Sequence, residues 1–127
     1  DGAGGIDLLA TYYVAARNYF RTATLYDSDY SWTWRISLPR DRTVYLAFVW
    51  DTKYDYSDYY NQPGIDLDLS IYDPRGRYVT GSASWDNTFE SVKFRTRRPG
   101  KYTVKVSTFR WSASSHYTYC GLAWNLR

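Results

Sequence analysis

In Tyr30-Ser-Trp-Thr-Trp-Arg-Ile-Ser-Leu38, Tyr30, Trp32, Trp34, Ile36 and Leu38 alternate with Ser31, Thr33, Arg35 and Ser37. That period of two belongs to a strand with one face buried. Working outward, Pro39-Arg-Asp-Arg42 reads as a turn, and Val44, Leu46, Phe48 and Trp50 line one face of the next strand. Tyr45, Ala47 and Val49 on its other face are also apolar, which marks that strand as central. Leu67, Leu69 and Ile71 make a third strand, and Asp73-Pro-Arg-Gly76 has the turn signature that folds it back onto Tyr78 to Thr80. Phe89 to Arg95, then Tyr102, Val104, Val106 and Thr108, then His116 to Asn125 complete the series. Short strands with turn signals every 8 to 12 residues predict an all-β, antiparallel two-sheet β-sandwich, jelly-roll-like.

Composition agrees. Of 13 acids 12 are Asp, and of 16 bases 12 are Arg, so Glu and Lys, which favour helix surfaces, are scarce. Fifteen Tyr and six Trp suit pleated, half-buried surfaces. Residues 1–28 stand apart as an N-terminal arm or linker plus a first strand, and 29–127 as the sandwich. Leu8, Leu9, Tyr12 and Tyr13 have helix-like spacing, whereas Arg21 to Tyr26 reads as strand.

One Cys and one His leave no intramolecular disulfide, zinc cluster or iron–sulfur site. Cys120, in an apolar strand, reads as a small buried hydrophobe. No run approaches the ~18 apolar residues of a membrane span. The chain opens Asp1-Gly-Ala-Gly and holds no Met, the expectation for a processed piece of a longer secreted protein. Its net charge of +3 is segregated: residues 1–50 are neutral, 51–73 carry −5 and 74–127 carry +8. Such segregation suits either a calcium-binding loop beside an anion-facing sheet or complementary surfaces within a fold or between neighbours.

The run Asp66-Leu-Asp-Leu-Ser-Ile-Tyr-Asp-Pro-Arg-Gly76 is preceded by Leu46-Ala-Phe-Val-Trp-Asp51. It is followed by Ser84-Trp-Asp-Asn-Thr-Phe-Glu90 and Pro99-Gly-Lys-Tyr-Thr-Val-Lys-Val106. In order and spacing these resemble the bacterial and archaeal pre-peptidase C-terminal domain, over roughly residues 30–124. Asp1-Gly-Ala-Gly-Gly-Ile-Asp-Leu-Leu9 is also similar to the last helix of a subtilisin-like catalytic domain. The resemblance implies a secreted, non-catalytic module appended to proteases, serving stability, secretion or attachment, with calcium as its cofactor. The Gly-Thr-Ser segment of a subtilisin-like catalytic domain does not occur here.

Four aspartates are the candidate metal ligands. Asp66 and Asp68, two apart in a strand, share one face about 6.6 Å apart, and Asp51 and Asp86 at loop positions are expected to complete an all-oxygen site for calcium. The same carboxylates equally serve as turn caps or Arg partners. Tyr54, Tyr56, Tyr59 and Tyr60, in the loop from Asp51 to Gly64, form the candidate binding surface, because clustered tyrosines give rigid contact area at low entropic cost. Candidate partners are a protein fibre, a polysaccharide, a parent protease domain or further copies of the chain in a homo-polymer. In that last alternative the chain is a filament subunit joined through its N-terminal arm. Lys93, Arg95, Arg97, Arg98 and Lys101 form a basic corner, but on an alternating strand such charges mostly keep an edge soluble, and nucleic acid is not expected. His116 beside Ser114 and Ser115 lacks the spacing of a catalytic constellation. The expected location is extracellular, and no enzymatic activity is expected.

Overall fold

The computed structural model describes residues 8–52, 54–55, 62–85 and 87–127; of 54, 55 and 62 only the backbone is described. The elements are α1 (Leu8–Ala16), β1 (Phe20–Tyr26), β2 (Ser31–Leu38), β3 (Thr43–Trp50), β4 (Tyr54–Asp55) and β5 (Gln62–Pro63). There follow β6 (Ile65–Tyr72), β7 (Tyr78–Ser82), β8 (Phe89–Arg95), β9 (Gly100–Trp111) and β10 (Tyr117–Leu126).

Two four-stranded antiparallel sheets pack face to face, in the orders β1-β10-β3-β8 and β2-β9-β6-β7. The pairing is nested, β1 with β10, β2 with β9, β3 with β8 and β6 with β7. A long hairpin rolled upon itself has this connectivity, so the sandwich is a jelly roll. The short pair β4-β5 lies within the stretch expected to be a loop.

The alternation that predicted the strands also fills the core. Ile36 and Leu38 of β2, Val44, Leu46, Phe48 and Trp50 of β3, and Val104 and Val106 of β9 all face inward and are buried. Leu67 and Leu69 do the same from β6. Phe48 stacks on Trp50 at 5.5 Å and meets Trp34 at 6.1 Å. Glu90, 1% exposed, is a carboxylate inside this core. It is satisfied by the Ser82 hydroxyl and by the Ser84 amide at 2.6 Å, tying β8 of one sheet to the end of β7 in the other.

β3 is interior to its sheet, as its doubly apolar pattern suggests, yet its outer face is open: Tyr45 and Val49 are exposed. β10, apolar on both faces near Cys120 to Trp124, lies beside it. The first strand forms in cis against β10 from Phe20↔Ala123 to Tyr26↔Tyr117. α1 ends in Asn18 at φ 54°, with Tyr19 N–H donating to Val14 O at 2.9 Å and Asn18 N–H to Ala15 O at 3.2 Å. These two bonds make a Schellman stop. None of the helix residues is buried.

The nested topology sorts the connections to two poles. Among the described residues, 27–30, 51–52, 63–64, 83–85, 87–88 and 112–116 gather at one, and 39–42, 73–77 and 96–99 at the other.

Candidate functional site

At the first pole a cleft of about 650 Å³ opens between the end of β3, the start of β6, the β9–β10 loop and the start of β10. Asp51, Ser112, Ser114, Ser115, Tyr117 and Tyr119 are among its lining residues. Short hydrogen bonds hold its walls. Gly64 O accepts from the amides of Ser112 and Ala113 at 2.8 and 3.1 Å and from the Ser112 hydroxyl at 3.2 Å. Trp111 Nε1 donates to Ser115 O at 2.8 Å, closing the loop on itself. Thr52 Oγ1 accepts from the Ile65 amide at 3.0 Å, Trp50 Nε1 donates to Ile65 O at 2.9 Å, and the buried Thr118 hydroxyl donates to Asp51 O.

Tyrosines stand on the rim. Tyr117 and Tyr119, two apart on the outer face of β10, meet edge to face at 5.4 Å, and Tyr26 of β1 lies opposite Tyr117 in register. Tyr119 is 61% exposed. The nearby Tyr117 phenol, which repels a second negative charge and hydrogen-bonds to it, pushes the Tyr119 hydroxyl above its ordinary value. The Tyr119 ring therefore meets a ligand as a neutral donor at physiological pH.

His116 Nδ1 and Asp27 Oδ2 lie 2.7 Å apart beside the cleft, a pairing of residues 89 apart in sequence that no local pattern announces. A nucleophile would have to join them to make a hydrolytic constellation. Ser115 Oγ instead donates to Tyr117 O at 2.7 Å, away from the imidazole.

The structure divides the four candidate metal ligands. Asp66 and Asp68 line one small cavity of about 70 Å³ with Ser84, Trp85 and Phe109. Asp51 lines the larger cleft, and Asp86 lies outside the described residues. Asp66, only 2% exposed, already faces Arg110 Nη2 at 3.6 Å. Burial raises the Asp68 carboxyl above its usual range. Among the described residues no cluster of three or more His, Cys, Asp or Glu is assembled. The described residues thus make a carboxylate pair with a guanidinium counter-ion, short of the six to eight oxygens calcium takes. Of the loop tyrosines, Tyr54 enters as a backbone residue of β4, and Tyr56, Tyr59 and Tyr60 lie outside the described residues. Sequence reading missed Tyr26, Tyr117 and Tyr119, because aromatic residues on a strand read as core and only the packed sheets leave these rings in solvent.

No protein-family profile matches the chain. Among solved structures it is similar to the pre-peptidase C-terminal domain of the collagenase from Bacillus anthracis. The TM-score is 0.55, at 14% identity over 84% of this chain and 87% of that one. It is similar also to a periplasmic inhibitor of g-type lysozyme from Aeromonas hydrophila, with a TM-score of 0.55 and 13% identity over 85% of this chain and 84% of that one. At such identities the likeness is one of fold, and it extends over most of each chain. No helix among the described residues is long and apolar enough to cross a membrane. In architecture, the chain has the β-sandwich fold of a pre-peptidase C-terminal domain.

Proposed function

We propose that this chain is a non-catalytic recognition module of a secreted or periplasmic protein, which attaches to another protein through the tyrosine-rimmed cleft. The observation that carries the reading is the composition of that cleft: Ser, Gly and Tyr on a wall held rigid by backbone hydrogen bonds. Antibody paratopes use the same mixture, Tyr for large contact area at low entropic cost and Ser and Gly for adaptable hydrogen bonding. The two structural neighbours, an accessory domain and an inhibitor, also support a module without chemistry of its own.

The test is retention of the chain on fibrous proteins and on insoluble polysaccharides, compared with Tyr117→Ser and Tyr119→Ser. Retention on protein, weakened about thirtyfold in each variant at unchanged melting temperature, is expected of interface anchors worth ~2 kcal/mol. Retention on polysaccharide alone, or equal binding by the variants, overturns the reading. Peptide hydrolysis by the chain should stay at the level of buffer.

Self-association is a second reading, favoured by α1, whose Leu8, Leu9 and Tyr12 are all exposed. Sedimentation at rising concentration tests it, and a monomer throughout ends the filament reading. Calcium belongs to the proposal through Asp66 and Asp68. A rise in melting temperature on adding calcium that Asp68→Asn abolishes would establish it, and an unchanged melting temperature would remove it.

A further inference from the structure

Six of the chain's twelve arginines lie in three turns at the pole opposite the cleft. Arg40 and Arg42 belong to the β2–β3 turn, Arg75 and Arg77 to the β6–β7 turn, and Arg97 and Arg98 to the β8–β9 turn. All six are exposed.

The turns are bolted together. Thr96, fully buried, donates its amide to Arg42 O and accepts the Asp41 amide, both at 2.9 Å. Its hydroxyl accepts the Arg42 amide at 2.9 Å and donates to Arg42 O at 3.2 Å. Pro74 lies against Gly100, so close that a Cβ there would be 2.9 Å from the Pro74 ring. Tyr102 OH pins the third turn by donating to Arg98 O at 3.0 Å.

Two carboxylates at this pole, Asp41 and Asp73, offset part of its charge and leave the six arginines in excess. Asp73 Oδ1 accepts the amides of Arg75 and Arg77 at 2.8 and 2.9 Å, and these bonds, with Arg77 and Arg98 nearby, hold its carboxyl below the usual range. Asp41 pairs with Arg40 at 3.2 Å in solvent, where such a pair is worth little. Among the described residues, Arg42, Arg75, Arg77, Arg97 and Arg98 make no ion pair. Like charges massed on a rigid surface raise the local concentration of anions, and each guanidinium fork matches a tetrahedral oxyanion with two parallel hydrogen bonds.

We infer that this arginine pole binds a sulfated polysaccharide chain, independently of the cleft. The shape argues against nucleic acid. Reading a duplex takes a helix or β-ribbon long enough to enter the major groove, and here the tips are tight turns. Single strands need open aromatic faces. Tyr45 and Tyr78 are exposed, but they stand on different sheets, Tyr45 flanked by Lys93 Nζ at 5.2 Å and the Arg127 guanidinium at 5.4 Å and Tyr78 edge-on to Tyr72 at 5.9 Å, so they make no continuous run of stacking faces. A chain of sulfates asks only for forks.

The experiment is binding of the full chain to heparin, to chemically desulfated heparin and to random-sequence duplex DNA, at about 0.15 M salt and above. The expected result is binding to heparin alone. Arg97→Gln with Arg98→Gln should weaken it about tenfold and lower the slope of log affinity on log salt by about one for each arginine removed. Tyr119→Ser should leave it unchanged. Amide chemical shifts on heparin addition should move at 40–42, 75–77 and 97–98, which also reports that the variants remain folded. Equal affinity for the desulfated chain or for DNA, shifts confined to the cleft, or arginine variants that bind like the native chain would each overturn the assignment.

Discussion

A methyl group at Gly100 would stand 2.9 Å from Cγ and 3.1 Å from Cβ of Pro74, on a backbone with φ +138°. A proline ring has little freedom to give way, so Gly100→Ala should cost about 1–3 kcal/mol, read as a lower denaturant midpoint with an unchanged slope. Gly81 is a second close approach, where Leu69 O would lie 2.7 Å from the added carbon. Cys120 is the residue whose ionisation reports burial. Desolvation, opposed by a hydrogen bond with the Ala23 backbone, pushes the thiol from 9.0 up to about 11. The thiol should therefore resist alkylation at about pH 8 until the protein unfolds, and rapid stoichiometric labelling of the native chain would contradict this environment. The linkage has a definite sign. Because the folded value is the higher one, the stability it contributes is fully present below pH 9.0 and is lost as the pH rises through about 11. Cys120→Ala should flatten that alkaline limb of the stability curve.

At the scale of elements, alternation was enough to read β2, β8 and β9, because on a pleated strand the buried set is a local property. The same logic revealed less about β10. It is apolar on both faces near Cys120 to Trp124, and at its start the structure turns Tyr117 and Tyr119 to solvent and makes them the rim of the cleft. Thr118 between them points the other way and is buried, with its hydroxyl donated to Asp51 O. Thr118→Val keeps the shape and removes the donor. We expect a loss of about 1 kcal/mol, at the low end for an abandoned carbonyl because Asp51 is exposed and water can reach it. Chemical denaturation checks it, and no loss would mean the bond contributes nothing. The carboxylate pair of β6 was legible from its i, i+2 spacing, whereas its guanidinium counter-ion was not. Arg110 reaches Asp66 because the register shifts between Asp66 and Leu67, an irregularity that no residue type declares in advance.

Across the whole molecule, the nested hairpin brings residues from both ends of the chain into one sheet, β1 against β10 and β10 against β3. Tyr19 contributes too, stacking on Trp124 at 5.5 Å while its carbonyl accepts the Trp124 amide at 2.9 Å. Removal of residues 1–17 takes away a helix with no buried residue and should leave the melting temperature nearly unchanged. Removal through Tyr26 also takes Leu25 from the core and bares the edge of β10, so that protein should aggregate, as light scattering would show.

The amino-acid sequence by itself determined the strands, their turns and the side chains that fill the core, because each depends on neighbours two to four residues away. It also determined that charge is unevenly placed along the chain. Only the tertiary structure decided what lies together. It joined Asp51 to the β9–β10 loop, paired His116 with Asp27, parted Asp51 from Asp66 and Asp68, and gathered the arginines of three separate turns on one pole. Those groupings follow from the order in which strands pair, and strand order is settled by the closure of the whole sandwich rather than by any segment of it.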